Sequence, residues 1–528
     1  MTTAITIGMI IIYVAIMMGI GVYTARQTRS VSDFVLGSHS VGSWLTAFAY
    51  GTSYFSAVVF IGYAGQFGWT YGVSAAWVGV GNALLGSLLA WIVLGRRTRI
   101  MTQSLGAKTM PEYFEKRWNS KGLKIAAALI VFVFLIPYTA SVYNGLSRLF
   151  NMAFQIESEG AYKIIIIVMA LLTAIYVILG GYAATAINDF IQGIVMLIGI
   201  AAVVICAIQN QGGLTSALAA LGEIEVNGKT NTLNSVFGPD PLNLLGVVIL
   251  TSLGTWGLPQ MIHKFYAIKS ENDIKKGAVI STVFALIVAG GSYLLGGFDR
   301  LFCTLTEDGS GKTVISTLSN GKPDFDAMIP SLLHTALPDI LIGLVVVLVL
   351  SASMSTLSSL VLTSSSTLTI DLIKPNLKKC SDKKEMLIMR VLIAVFLVIS
   401  VLLAFNKNAS ISTLMSYSWG ALAGAFLGPF MYGLFSRKIT KPAVWISFIL
   451  GIGLTLVHMF LFGFGWNPEL SKAAASLPLN LASPINAGAI TMLLSLIVVP
   501  VVSVLTKVKD PKHVEQVFTC YAAPEKQD

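Results

Sequence analysis

The sequence predicts an all-α polytopic membrane protein of about thirteen transmembrane helices. They are one N-terminal helix, two inverted five-helix repeats and two C-terminal helices. Three observations carry that prediction. The 528 residues are 55% hydrophobic and only 11% charged, with a mean hydropathy of +0.77, whereas soluble domains carry about 25% charged residues. Apolar runs long enough to cross a hydrocarbon layer ~30 Å thick recur along the chain. Two of those runs are interrupted at matching places by small, polar and helix-breaking residues. Such a composition excludes a soluble enzyme, a disordered chain and a secreted scaffold.

The first run, near 4–24, has no basic residue before it, and Arg26 and Arg29 follow it. A signal peptide has the opposite order, so this is a retained helix with its N-terminus outside. Further runs lie near 42–68, 72–94, 125–153, 162–180, 185–208, 242–265, 277–298, 338–372, 387–405, 410–435, 442–464 and 487–506. Each must be helical, because lipid offers backbone amides no partner. With the N-terminus outside, the cytoplasmic connectors hold 27 of the 35 Lys and Arg, while the acidic residues split twelve to twelve with Asp189 left over. A skew in cations but not in anions is the positive-inside pattern. The net charge of +10 is thus read as an orientation signal and not as a nucleic-acid footprint.

The expected organisation is an extra N-terminal helix and first cytoplasmic loop (1–41), a first repeat (42–208), a second repeat (209–436), two C-terminal helices (437–506) and a loose cytoplasmic tail (507–528). The outside connectors around 209–241 and 299–337 have room for a hairpin or a surface helix at most. Four cysteines and five histidines are scattered. They form no zinc-ligand spacing and no catalytic constellation, so no enzyme is expected.

Span two reads Ala47-Phe-Ala-Tyr-Gly-Thr-Ser-Tyr-Phe-Ser-Ala57, and span seven reads Thr251-Ser-Leu-Gly-Thr-Trp-Gly-Leu-Pro259. Each alone could be close packing or a proline kink. Together they open two groups of five helices that enter the membrane from opposite sides. Interrupted segments at corresponding places in inverted halves point to the binding site of a secondary transporter.

Span nine ends in a hydroxyl-rich stretch, Ser351 to Ser366. At helical spacing Ala352, Ser355, Thr356 and Ser359 share a face, with Ser358 beside them. Hydroxyl and carbonyl oxygens suit a small hard cation, although serines also bond to their own helix or glue helices together. Asp189 is the one carboxylate expected in or near the apolar zone. Such residues usually carry function, the plainer alternative being a first-turn aspartate stabilised by the helix dipole. No span is expected to hold a mid-membrane Lys or Arg.

These stretches resemble the sodium:solute symporter family over nearly the whole chain. The matching segments are Asp33-Phe-Val-Leu-Gly-Ser-His-Ser-Val-Gly42, Ser56-Ala-Val-Val-Phe-Ile-Gly-Tyr-Ala-Gly65, Gly180-Gly-Tyr with Asn188-Asp-Phe-Ile-Gln-Gly193, Gly257-Leu-Pro-Gln-Met-Ile-His-Lys-Phe265 and Met354-Ser-Thr-Leu-Ser-Ser359. The resemblance implies a leucine-transporter-type five-plus-five fold. It also implies a sodium site made by the carbonyls of Thr52, Phe55 and Ala352 and the hydroxyls of Ser355 and Thr356. A second sodium site, known in a sialic acid transporter type, maps onto Asp189, Ser355, Ser358 and Ser359, so one or two sodium ions are implied. Relative to proline transporters Tyr138 and the Gly257 to Pro259 segment are kept, but Tyr54 replaces an acidic residue and Thr251 and Thr255 replace aromatics. The wording around Asn188-Asp189 and Gly193 to Gly199 is nearer to pantothenate-type members.

The expected function is sodium-coupled symport of a small organic solute into the cell by alternating access. The solute classes are an amino acid such as proline, pantothenate or a monocarboxylate. The pocket candidates are Tyr50, Tyr54, Ser56, Tyr138, Thr255 and Trp256, each of which could also be core packing. A proton-coupled carrier using Asp189, and a transporter-like membrane receptor, are the alternatives. The expected location is the cell membrane, multi-pass, N-terminus outside and C-terminus cytoplasmic, with lipid and solute as partners and neither nucleic acid nor an obligate protein partner.

Overall fold

The structure is a computed structural model and describes residues 2–25, 30–37, 41–155, 158–307, 311–318, 321, 323–377, 381–405 and 410–522. Arg26, Arg29, Lys322, Lys378, Lys379, Lys407 and Lys526, all counted in the charge argument, lie outside the described residues, as do His39 and Cys380.

The chain is mostly helical. Among the described residues nine helices are long and apolar enough to cross a membrane, or ten when a bent pair is taken as one span. Two of them exceed a single crossing: Val58–Leu105 runs 48 residues and Glu159–Asn210 runs 52. At 1.5 Å per residue these are about 70–80 Å long. Each is interrupted by a glycine in a conformation closed to residues with a Cβ, Gly72 with φ +62° and ψ −144° and Gly181 with φ +55° and ψ −148°. At Gly181 a Cβ would also lie 2.6 Å from the Phe34 carbonyl oxygen. The short Val31–Leu36 helix therefore packs directly on that kink.

Helix starts follow local chemistry. Ser120, Ser158, Ser270, Ser381 and Ser410 each accept a hydrogen bond from a first-turn N–H, satisfying donors that no helix can satisfy internally. The helix Asp339–Thr367 occupies the centre and packs against 159–210, 121–154, 2–25 and 43–54. Of its apolar window 83% is buried, against 22% for Ala4–Thr24, so the hydroxyl-rich helix is core and the N-terminal helix is periphery. The helix Ile411–Phe435 packs against 121–154, 441–458 and 484–505.

The long connectors carry only small elements. Around 209–241 there is one helix, Leu214–Glu223. Around 299–337 there are a two-residue parallel strand pair, Cys303–Thr304 with Thr313–Val314, and the helix Met328–Ala336. The tail departs from the expectation of a loose segment. Pro511–Phe518 is helical, with Val514, Val517 and Phe518 buried. The Tyr521 hydroxyl donates to the Arg97 carbonyl at 3.0 Å, and His513 meets the Lys116 carbonyl at 2.8 Å. The Phe518 ring lies 4.8 Å from the buried Arg117 guanidinium. Three apolar residues at helical spacing suffice to dock it.

Helices 76–81 and 271–296 approach with glycine on glycine. A Cβ on Gly79 would sit 2.5 Å from the Gly290 Cα, whereas a Cβ on Gly290 meets nothing within 4 Å. Gly79→Ala should therefore destabilise the detergent-solubilised protein by roughly 1–3 kcal/mol. Gly290→Ala should leave the thermal midpoint unchanged or raise it. Equal effects of the two substitutions would contradict this seam.

Candidate ion and solute site between two broken helices

The first break follows Ser43–Tyr54. Its ladder ends with the Phe55 N–H on the Gly51 carbonyl at 3.2 Å. Phe55 is extended (φ −111°, ψ 111°), and helix resumes as the wide-turned segment Val58–Tyr63. The Thr356 hydroxyl lies 3.4 Å from the carbonyl oxygens of Thr52 and Ser53 and 3.2 Å from that of Ala352, with one proton to share among the three. One step away the Ser355 hydroxyl donates to the Thr52 hydroxyl at 2.8 Å. All five residues are buried.

Thr52, Ala352, Ser355 and Thr356, named from the sequence, thus converge. Ser53 joins them through a carbonyl that the sequence reading did not include. Phe55 lies at the break with its ring stacked on Tyr54, centroids 4.3 Å apart. A cluster of three carbonyl and several hydroxyl oxygens, without thiol or imidazole, is the donor set of a hard cation.

The second break lies between Pro241–Trp256 and Pro259–Ala267, which meet at a 42° bend. Leu258 is extended and Pro259 starts the second piece, the first-turn position where proline's missing N–H costs nothing. The two breaks touch through side chains. The Tyr54 hydroxyl donates to the Thr251 carbonyl at 2.5 Å. The Tyr50 and Thr255 hydroxyls both donate to the Gly86 carbonyl, at 2.7 and 2.9 Å, and the Trp256 indole N–H donates to Leu85 at 2.9 Å. Ser56 accepts from the Val58 N–H at 3.2 Å. Tyr138 follows Pro137 within helix 121–154, and its ring packs edge-on to Trp419 at 5.9 Å.

Trp419 was missed by the sequence reading. It lies 6.2 Å from the Tyr54 ring as well, so it joins Tyr138 to the first break. Its indole N–H and the Tyr138 hydroxyl are both buried and face one another, without a well-aligned hydrogen bond to any other group. The available signal was Ser416-Tyr-Ser-Trp419, a polar and aromatic interruption in an otherwise apolar span.

One expectation fails. Lys264, counted with a cytoplasmic connector, is buried at 2% exposure. Its ammonium lies 3.6 Å from a carboxylate oxygen of the fully buried Asp189 and donates to the Ser359 hydroxyl at 3.0 Å. A cation is therefore present among the spans. The cause is tertiary: Asp189 from one helix and Ser359 from another supply what a lysine needs to leave water.

A sequence model for the sodium:solute symporter family matches residues 34–451. The chain belongs to the sodium:solute symporter family. It is therefore a membrane transporter and not an enzyme, and sodium is the coupling ion of its family. Similar proteins include the sodium/proline symporter of Staphylococcus aureus, 30% identical over 459 residues and covering 85% of each chain. The osmoregulated proline transporter OpuE of Bacillus subtilis is 28% identical over 455 residues, 84% of this chain and 87% of that one. Among solved structures, a Na+-coupled sialic acid symporter in a substrate-bound outward-open state, described as revealing a novel Na+ site, superposes with a TM-score of 0.69 at 18% identity. It covers 95% of this chain and 98% of that one. A nucleobase-cation-symport-1 family transporter gives a TM-score of 0.51 at 13% identity, covering 92% and 98%. These two likenesses establish a shared transporter fold.

In this symporter the Tyr54 and Tyr138 hydroxyls differ in what they meet. Tyr54→Phe should cost about 1 kcal/mol of stability, the worth of a typical buried hydrogen bond. Tyr138→Phe should cost less, because its hydroxyl meets only the Trp419 indole N–H in poor alignment. A large loss in Tyr138→Phe would mean that its hydroxyl is engaged.

Proposed function

We propose that this symporter couples entry of sodium to uptake of a small organic solute by alternating access. The observation that carries the reading is the convergence of the Thr52, Ser53 and Ala352 carbonyls on the Thr356 hydroxyl, with Ser355 beside it. Carbonyls released by a mid-span break need positive charge. A sodium ion held by Thr52, Phe55, Ala352, Ser355 and Thr356 would supply it while tying the break to helix 339–367. The arrangement proposed for the chain is thirteen spans with five-plus-five inverted repeats, N-terminus outside and C-terminus cytoplasmic.

The solute pocket adjoins the ion. Tyr50, Tyr54, Ser56, Tyr138, Thr255 and Trp256 surround the two breaks, with Trp419 across from them. The Tyr138 hydroxyl and Trp419 N–H, poorly aligned with each other and with no other partner, are polar groups that a ligand could engage. An amino acid of the proline class is the leading solute, because the curated relatives are named as proline transporters. Pantothenate and monocarboxylates are the other classes to test. Each charge moved inward across 100 mV supplies about 2.3 kcal/mol, so no chemical step is required of the protein.

Uptake into proteoliposomes against proline, other amino acids, pantothenate, monocarboxylates and sugars, with and without a sodium gradient, tests the proposal. Ser355→Ala and Thr356→Ala should each raise the sodium concentration for half-maximal uptake roughly 5–10-fold, as loss of about 1–1.4 kcal/mol of ligation requires. Unchanged sodium dependence in both variants would remove the site. Uptake that ignores sodium but collapses with a protonophore at clamped potential would transfer the coupling to a proton, with Asp189 as its carrier.

A further inference from the structure

Asp189, Ser355, Ser358 and Ser359 retain the oxygen donors of a possible second sodium site, but in the structure a cation from the chain itself, the Lys264 ammonium, already stands against two of them, Asp189 and Ser359. The Ser358 hydroxyl turns back onto its own helix and donates to the Ser355 carbonyl at 2.8 Å. The Ser359 hydroxyl lies 2.8 Å from the Ser53 hydroxyl and accepts from the Lys264 ammonium at 3.0 Å. The ammonium faces Asp189 at 3.6 Å and lies 5.3 Å from the Tyr182 ring centroid. An ammonium can only donate and carries the same single charge as sodium. The charge that would draw in a second ion is thus met from within the chain.

The position of Lys264 gives this cation a mechanical setting. It stands on Pro259–Ala267, the piece of span seven that follows the second break. Asp189 belongs to Glu159–Asn210, and Ser359 to Asp339–Thr367. Through Ser359 and Ser53 the ammonium connects to the segment that ends at the first break. Tyr182, Gln260, His263 and Thr363 close around it and leave no space for a water molecule. The lysine therefore links three helices and both breaks at one point, immediately next to Thr52, Ser355 and Thr356.

We propose that Lys264 is a tethered cation standing in place of a second sodium ion, so that one sodium accompanies each solute. The proposal rests on the sodium-coupled reading above and adds the number of ions to it. Lys264 is a positioning residue in this scheme. It neutralises Asp189 permanently, and its charge returns with the protein at the end of each cycle instead of being released inside.

Two measurements test it. In proteoliposomes with an imposed potential of 100 mV and no sodium gradient, a neutral or zwitterionic solute should accumulate about 45-fold with one sodium and about 2,000-fold with two. The expected result is the lower value and a charge-to-solute ratio of one. Equilibrium sodium titration of the purified symporter, read by tryptophan fluorescence or by 22Na binding, should show a single site in the native protein. In Lys264→Met, where Asp189 is left without its cation, it should show a second site and a Hill coefficient above one. The double variant Asp189→Asn/Lys264→Met removes both charges, avoids a lone buried carboxylate, and should return to one site.

A ratio of two in the native symporter overturns the proposal while leaving sodium coupling intact. A single site in folded Lys264→Met overturns it also. Should Lys264→Met not fold, the native ratio together with the double variant decides: a second sodium site in the double variant contradicts the scheme. Absence of any sodium dependence would instead dismiss the sodium-coupled reading itself.

Discussion

The structure is organised around one constraint: backbone carbonyls released inside a bilayer must find positive charge or donors. Helix 43–54 stops at Phe55, so Thr52 and Ser53 lose the amides that an unbroken helix would supply. The hydroxyl face of helix 339–367 answers that loss. This explains why the most buried long helix is also rich in serine. In a membrane interior a hydroxyl is small enough to pack and polar enough to serve a carbonyl. Moving the break or greasing the stripe would leave the other half without a partner.

Much of this was legible in the chain. The helical class follows from composition, and both interruptions follow from glycine, proline and small polar residues grouped within apolar runs. The i, i+3, i+4 spacing of Ala352, Ser355 and Thr356 puts them on one helix face, the face that meets Thr52 and Ser53. What could not be read were meetings between distant segments. Lys264 falls at the edge of an apolar run, where a charge-counting rule assigns it to water. Only Asp189 and Ser359, 75 and 95 residues away, make its burial intelligible. Trp419 was hidden for the opposite reason, since an aromatic in an apolar helix looks like wall until Tyr54 and Tyr138 are seen around it.

The Asp189–Lys264 pair is a poor candidate for stabilisation. Removing two charges from water costs several kcal/mol per ion, and a well-packed apolar pair often does better. Its burial between three helices fits the role proposed for it beside the candidate ion site. The neighbouring Ser53–Ser359 contact keeps that charge in communication with the first break without placing it among the carbonyls.

The docked C-terminal segment has its own consequence. His513 and Tyr521 hang on carbonyls of Lys116 and Arg97, while Arg117 reaches Gly433 and Ser436 at the end of helix 411–435, the helix that also carries Trp419. A fluorophore attached in this last stretch would therefore sense movement of helix 411–435 from its far end, and a bulky fusion joined there would strain the very contacts it was meant to observe.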